Sequence, residues 1–139
     1  MLIGKNPLNK SPEWFKRNIE IEPENNSVEV DGASINFNVW GDKNLPGLLL
    51  LHGFNAHSLW WSHIAPAFME EYCVVAMDFS GMGDSGRRDF YSQEIYSKEI
   101  KGVVKAMGWD SVTCLAHSMG GSVSMFSTSI FPDLFSKLI

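Results

Sequence analysis

The chain has 139 residues, enough for one modest domain. With 45% hydrophobic and 19% charged residues it has an ordinary globular balance, and a formal net charge of −5 argues against nucleic acid as a partner. Arg87-Arg88 is an isolated basic pair, and the longest apolar run, Leu48 to Leu51, is far too short to span a bilayer, so neither nucleic acid nor membrane is expected as a partner.

Met1 to Pro7 has no apolar core of signal-peptide length, which makes a soluble cytoplasmic protein the expectation. Ser11 to Lys16 opens like a short helix, with Ser11 as N-cap and Pro12 in the first turn, and Trp14 and Phe15 are expected to pin it to the body. Pro23 to Asn26 reads as a loop. Ser27 to Gly32 alternates and ends in Asp-Gly, a hairpin signal; Ala33 to Trp40 alternates again, with Ile35, Phe37 and Val39 on one face. Leu48 to Leu51 is an unbroken apolar run, which suits a strand covered on both faces. Leu59 to Glu71 reads as a helix capped by Ser58. Tyr72 to Met77 is a second buried strand, and Ser92 to Met107 is an amphipathic helix closed by Gly108. Ser111 to Leu115 is a third apolar strand, Gly121 to Phe131 a helix, and Lys137 to Ile139 the start of another strand. Cys73 and Cys114 fall in predicted strands and read as buried thiols; no CxxC or Cys/His metal spacing is present. Two antiparallel strands followed by alternating β and α segments predict an α/β fold, a mostly parallel sheet with helices on both faces. Residues 1–26 read as an N-terminal extension and 27–139 as the core domain.

Three loops follow three successive parallel strands, the edge at which open α/β sheets bind ligands. The third is the most informative. Cys114-Leu115-Ala116-His117-Ser118-Met119-Gly120-Gly121 carries a strand through a tight small-residue turn, with serine at its apex, into a helix. That is the layout of a nucleophile elbow. Ala116 and Gly120, two residues to either side of Ser118, let strand and helix approach closely enough to make the bend. The Met119 N–H then lies at a helix N-terminus, where it can stabilise an oxyanion. The first loop is His52-Gly53-Phe54-Asn55. Its Gly53 frees the backbone to turn, and the Phe54 N–H is a second candidate donor. The second loop spells GxGxxG across Gly81, Gly83 and Gly86, so a dinucleotide site is a rival. Such a site needs a helix opening inside the glycine motif, and here Arg87 to Tyr91 intervene. The loop reads better as a support for the site floor.

Leu51-His52-Gly53-Phe54, Asp78-x-x-Gly81-x-Gly83-x-Ser85 and Ala116-His117-Ser118-Met119-Gly120-Gly121, in that order, resemble three signatures of the α/β-hydrolase superfamily. The resemblance runs from about Ser27 to Ile139, including the opening strand pair that ends in Val39-Trp40-Gly41. It is greatest to bacterial serine esterases, lipases and carbon–carbon bond hydrolases. Ser118 sets the chain apart from relatives with aspartate at the elbow, such as haloalkane dehalogenases and epoxide hydrolases. The resemblance implies Ser118 as nucleophile and the N–H groups of Phe54 and Met119 as the oxyanion hole. It makes His52, Gly53, Asp78, Gly81, Gly83, Ala116, His117 and Gly120 supporting residues. It further implies a small apolar ester or other carbonyl substrate, and no metal or organic cofactor. Ala116 departs from the usual glycine, and Ser80 from the usual arginine or proline.

That superfamily orders its triad as Ser, then Asp or Glu, then His, with the last two on loops after later strands. The chain stops before such strands, so the acid and the base are expected to be missing from it. His117 adjoins Ser118, so its ring should point away from the hydroxyl and pack. His52 shapes the first loop, and His57 and His63 sit at the start of a predicted helix. Asp78 lies across the Leu48–Leu51 strand from the elbow. The reading is therefore a serine hydrolase truncated after the elbow helix, with the elbow strand an unpaired edge and with low stability and little activity alone. Trp60 and Trp61 either line an acyl pocket or pack against the sheet, with packing expected for at least one; Met82 and Met119 are expected at the pocket border. The alternatives are a non-catalytic ligand-binding member or inactive product, and a carbon–carbon bond hydrolase or perhydrolase with the same elbow. The sequence leaves the oligomeric state open.

Overall fold

A computed structural model describes residues 10–139; Met1 to Pro7, where no signal-like core is expected, lies outside them. Strands β1 (Glu24–Val30) and β2 (Ala33–Trp40) form an antiparallel hairpin. Its turn residues Asp31 and Gly32 have φ of 45° and 80°, the left-handed pair that suits a two-residue connection. The stretch expected as a loop is already strand from Glu24, which pairs with Val39. Strands β3 (Gly47–Leu51), β4 (Cys73–Met77), β5 (Val112–Ala116) and β6 (Phe135–Leu138) complete a six-stranded sheet in the order β1-β2-β4-β3-β5-β6. β2 meets β4 antiparallel; β4, β3, β5 and β6 are mutually parallel.

The apolar runs are buried on both faces, as the unbroken leucine run requires. Leu49, Leu51, Val75, Met77 and Cys114 pack with Ile100, Val103 and Val104 of α2 (Gln93–Ala106) and Val123 of α3 (Met119–Ile130). Alternate residues Leu48, Leu50, Val74 and Ala76 face the other way, onto Trp40, Trp61 and Ala65. Burial pushes the Cys114 thiol up to about 12, so it stays a neutral packing group. α2 starts at its expected cap: Ser92 Oγ accepts from the Ile95 N–H at 3.1 Å.

Three expectations are corrected. The long helix over Leu59–Glu71 is instead two single-turn 3-10 helices, Ser58–Trp61 and Ala65–Phe68. Their N–H groups reach back three residues, Trp60 to His57 and Ala67 to Ile64, and between them the Ile64 N–H does the same to Trp61. Pro66 has no N–H to give, and the tight turns send Trp61 and Ala65 together onto the sheet. Helix α1 (Glu13–Ile19) has Pro12, not Ser11, at its N-cap and no side-chain cap. Phe15, 5.8 Å from the His63 ring, and buried Asn18, which donates to the His63 carbonyl at 2.9 Å, anchor it, while Trp14 is half exposed. Finally, β5 is not an edge. β6 pairs with it in parallel, Val112 opposite Phe135 and Cys114 opposite Leu138, because Phe131 to Leu134 turn the chain back beside it. Among the described residues no helix is long and apolar enough to cross a membrane.

Candidate active site

The strand order β4-β3-β5 places the three expected loops side by side at one edge of the sheet. At the third, Ala116 ends β5, Met119 opens α3, and only His117 and Ser118 lie between. Ser118 takes φ 52° and ψ −114°, a left-handed backbone rare for a non-glycine residue, at a cost of order 1–3 kcal/mol. The turn is over-determined. The His117 N–H donates to the Leu51 carbonyl at 3.0 Å, the Gly120 N–H to the His117 carbonyl at 3.0 Å, and the Ser122 N–H to the Ser118 carbonyl at 3.1 Å. Gly120 lets α3 sit directly on the end of β3: a methyl group there would come within 2.8 Å of the Leu51 and His52 carbonyl oxygens. Ala116 is partly buried against the core and pairs with Leu51. Ser118 itself is exposed.

The first loop lies against the elbow. A methyl group on Gly53 would fall 2.9 Å from His117 Nδ1 and 3.4 Å from Ser118 Cβ. Gly53 to Ala56 form a turn, closed by the Ala56 N–H on the Gly53 carbonyl at 3.3 Å, with Asn55 at φ 55°. Among the described residues, no backbone acceptor engages the N–H of Phe54 or of Met119. The Phe54 side chain is 78% exposed.

His52 is fully buried. Its Nε2 accepts the Phe79 N–H at 3.2 Å, so the proton sits on Nδ1, which donates to the Gly53 carbonyl at 2.7 Å. Burial pushes its pKa below the ordinary histidine value, so the ring stays neutral and ties the first loop to the second.

Asp78 is buried at the head of the second loop and gathers three segments. Its carboxylate accepts from the Ser58 N–H at 2.5 Å, from Asn36 Nδ2 at 3.1 Å and from the Asp84 N–H at 2.9 Å. Gly83, at φ 52°, lies against that carboxylate, and Gly81, at φ 80°, lies against the Tyr91 ring; neither place has room for a side chain. The glycine motif is thus wrapped around Asp78 and Tyr91, and α2 begins only at Gln93.

Several buried polar residues around these loops have no signature in the local sequence. Asn36 and Asn38 lie on the face of β2 that alternation leaves polar, yet both are buried, Asn38 donating to Ser58 Oγ at 2.8 Å. Ser58, expected as a helix cap, is held instead by Asn38 and Asp78. Glu99 is fully buried on α2, where it accepts from Arg88 Nε at 2.9 Å and the Ser80 N–H at 3.0 Å. Arg88 also donates to the carbonyls of Asp31 and Val30, at 2.7 and 2.6 Å. A carboxylate three residues after Tyr96 and four before Val103, among the apolar positions of α2, was the available hint that a cation must reach it.

The two tryptophans divide. Trp61 is buried under the sheet, and among the described residues its indole N–H is the one buried side-chain polar atom without a partner. Trp60 is 44% exposed, and its ring stacks on His117 with centroids 5.2 Å apart at 25°. Met82 and Met119 are partly buried against the main core. Among the described residues no histidine ring hydrogen-bonds to Ser118, and the one histidine ring that makes a hydrogen bond is that of His52.

A family profile described as alpha/beta hydrolase fold matches residues 46–139. A "serine hydrolase-like protein" of Mus musculus is 33% identical over 115 residues, 81% of this chain and 37% of the relative. "Epoxide hydrolase 4" of Mus musculus is 28% identical over 115 residues, 81% of this chain and 32% of the relative. Among solved structures, epoxide hydrolase A from Mycobacterium thermoresistibile superposes with a TM-score of 0.79 at 25% identity, over 84% of this chain and 38% of that one. The chain thus spans about a third of the length of these relatives. With its sheet order, its strained serine turn and its match over residues 46–139, the chain belongs to the α/β hydrolase fold family.

Proposed function

We propose that the chain carries the nucleophile and oxyanion half of a serine hydrolase acting on small apolar carboxylic esters. The observation that carries this reading is the backbone of Ser118, held at φ 52° between β5 and α3 in an exposed residue. Ser118 Oγ adds to the ester carbonyl carbon and yields its proton to a general base. The N–H groups of Phe54 and Met119, both without backbone acceptors among the described residues, take the developing oxyanion. Collapse of the tetrahedral adduct breaks the bond to the alkoxide, which leaves with a proton, and water then hydrolyses the acyl-serine. The base is none of the four histidines: His52 has both ring nitrogens engaged, the His117 ring is turned onto Trp60, the His63 ring meets Phe15 and Trp60, and His57 is exposed with no bond to Ser118. Base and acid come from outside these 139 residues. Epoxide opening through an enzyme ester takes a carboxylate at the apex, and residue 118 is serine, so that activity of the named relatives does not carry over.

The test is covalent labelling. A fluorophosphonate probe should modify the chain slowly and only at Ser118, located by peptide mass, and Ser118→Ala should abolish the adduct. p-Nitrophenyl butyrate should be hydrolysed orders of magnitude more slowly than by a complete serine esterase, as expected of a serine without its base. Equal labelling of Ser118→Ala would overturn the assignment.

A further inference from the structure

The loop after β3 is wound around one side chain. Gly53, where it leaves the strand, meets the Nδ1 edge of the His117 ring; Trp60, in the first 3-10 turn, covers the face of that ring. Between those two contacts lie Phe54, whose N–H has no backbone acceptor among the described residues, and Asn55 at φ 55°. His117 itself is immobilised by the elbow, through its backbone N–H on Leu51 and its carbonyl on Gly120. His117 is an exposed residue, and its ring makes no hydrogen bond among the described residues, so what holds the ring is its contact with Gly53 and Trp60. Trp60 is fixed in turn, edge-on to Trp61 at 4.9 Å and to His63 at 5.9 Å.

We infer that His117 is a positioning residue: its flat ring, clamped between Gly53 and Trp60, sets where the Phe54 N–H stands relative to Ser118. This rests on the reading of Ser118 as nucleophile and Phe54 as oxyanion donor. The physical logic is preorganisation. An oxyanion donor acts only if it is in place before charge develops, and a donor on a free loop would have to be ordered during the reaction. The Phe54 side chain, largely exposed, does not anchor the turn, and the contact across His117 does. Because packing and not hydrogen bonding holds the ring, a carbocyclic ring of similar size should serve.

The test compares the wild-type chain with His117→Ala, His117→Phe and Trp60→Leu, each ¹⁵N-labelled. One readout is the backbone ¹⁵N order of the Phe54 amide. The other is fluorophosphonate labelling over a range of probe concentrations, which separates the saturating rate from the affinity. His117→Ala and Trp60→Leu should mobilise the Phe54 amide and lower the saturating rate about tenfold or more, with probe affinity within about twofold. His117→Phe should keep both near wild type. The inference is overturned if His117→Ala leaves amide order and rate unchanged, or if His117→Phe is as impaired as His117→Ala. Should His117→Ala fail to fold, Trp60→Leu removes the same contact from the other side and decides the question. If the wild type does not react at Ser118, the nucleophile reading fails while the amide measurement still judges the positioning.

Discussion

At the residue scale, the site depends on groups whose protonation and backbone angles are dictated by close neighbours. His52 illustrates this. Its Nε2 must stay bare to accept the Phe79 N–H, and burial holds its folded pKa below the ordinary 6.5. The unfolded chain therefore takes up the proton first as pH falls. Stability from this residue is complete above about pH 6.5 and is lost as pH drops through that value toward the folded pKa, with a slope of at most about 1.4 kcal/mol per pH unit for one proton. Urea unfolding at pH 7 and pH 5 should show this loss, and His52→Gln should flatten it while lowering stability at pH 7. An unchanged slope in that variant would assign the pH dependence to other groups. Of the residues at this scale, the placement of Ser118, Gly53 and Gly120 was legible in the sequence because it is local: a serine between a strand and a helix, and glycines where backbones touch. The partners of Asp78 were not, since Asn36 and Ser58 lie 42 and 20 residues from it in the chain.

At the element scale, the second loop is fastened by an ion pair. Glu99 is fully buried on α2, and Arg88 reaches it from the loop while also holding two carbonyls of the β1–β2 hairpin. One side chain thus joins loop, helix and hairpin. Replacing Arg88 by Met should cost about 3–5 kcal/mol in denaturant unfolding, because it leaves a buried carboxylate with the Ser80 N–H as its remaining donor. The double variant Arg88→Met/Glu99→Gln should regain part of that. A cost below about 1 kcal/mol for Arg88→Met would mean that water reaches Glu99. The arginine pair looked like an isolated surface feature in the sequence, since its acidic partner is separated from it by the start of α2. The 3-10 turns were hidden for a related reason: helical periodicity is satisfied by Leu59 to Glu71, and the choice of tighter turns comes from Pro66 and from seating Trp61 on the sheet.

At the scale of the whole molecule, the sheet has a stable middle and weaker margins. β3 and β4 have partners on both sides, are buried on both faces and sit at its centre, whereas β6 borders one neighbour and is largely exposed. Hydrogen exchange should therefore be slowest at the amides of Leu49 to Leu51 and Val74 to Ala76 and clearly faster across Phe135 to Leu138. Equal protection along all six strands would contradict this gradient. The elbow strand β5, expected as a bare edge, gains β6 as its neighbour, so Ser118 is carried by a strand paired on both sides.

What the sequence alone determined is whatever depends on neighbours within about a dozen residues: the apolar runs that must be strands, the amphipathic α2, the hairpin turn at Asp31-Gly32 and the serine elbow. These follow from side-chain burial and backbone sterics, which local pattern records. The tertiary structure decided what depends on groups brought together from far along the chain. It set the hydrogen-bond donors around the Asp78 carboxylate, the Arg88–Glu99 pair, the partner of β5, and the division of Trp60 and Trp61 between the elbow and the sheet. Those arrangements satisfy buried polar groups and fill space between elements, and both conditions exist only once the sheet has closed.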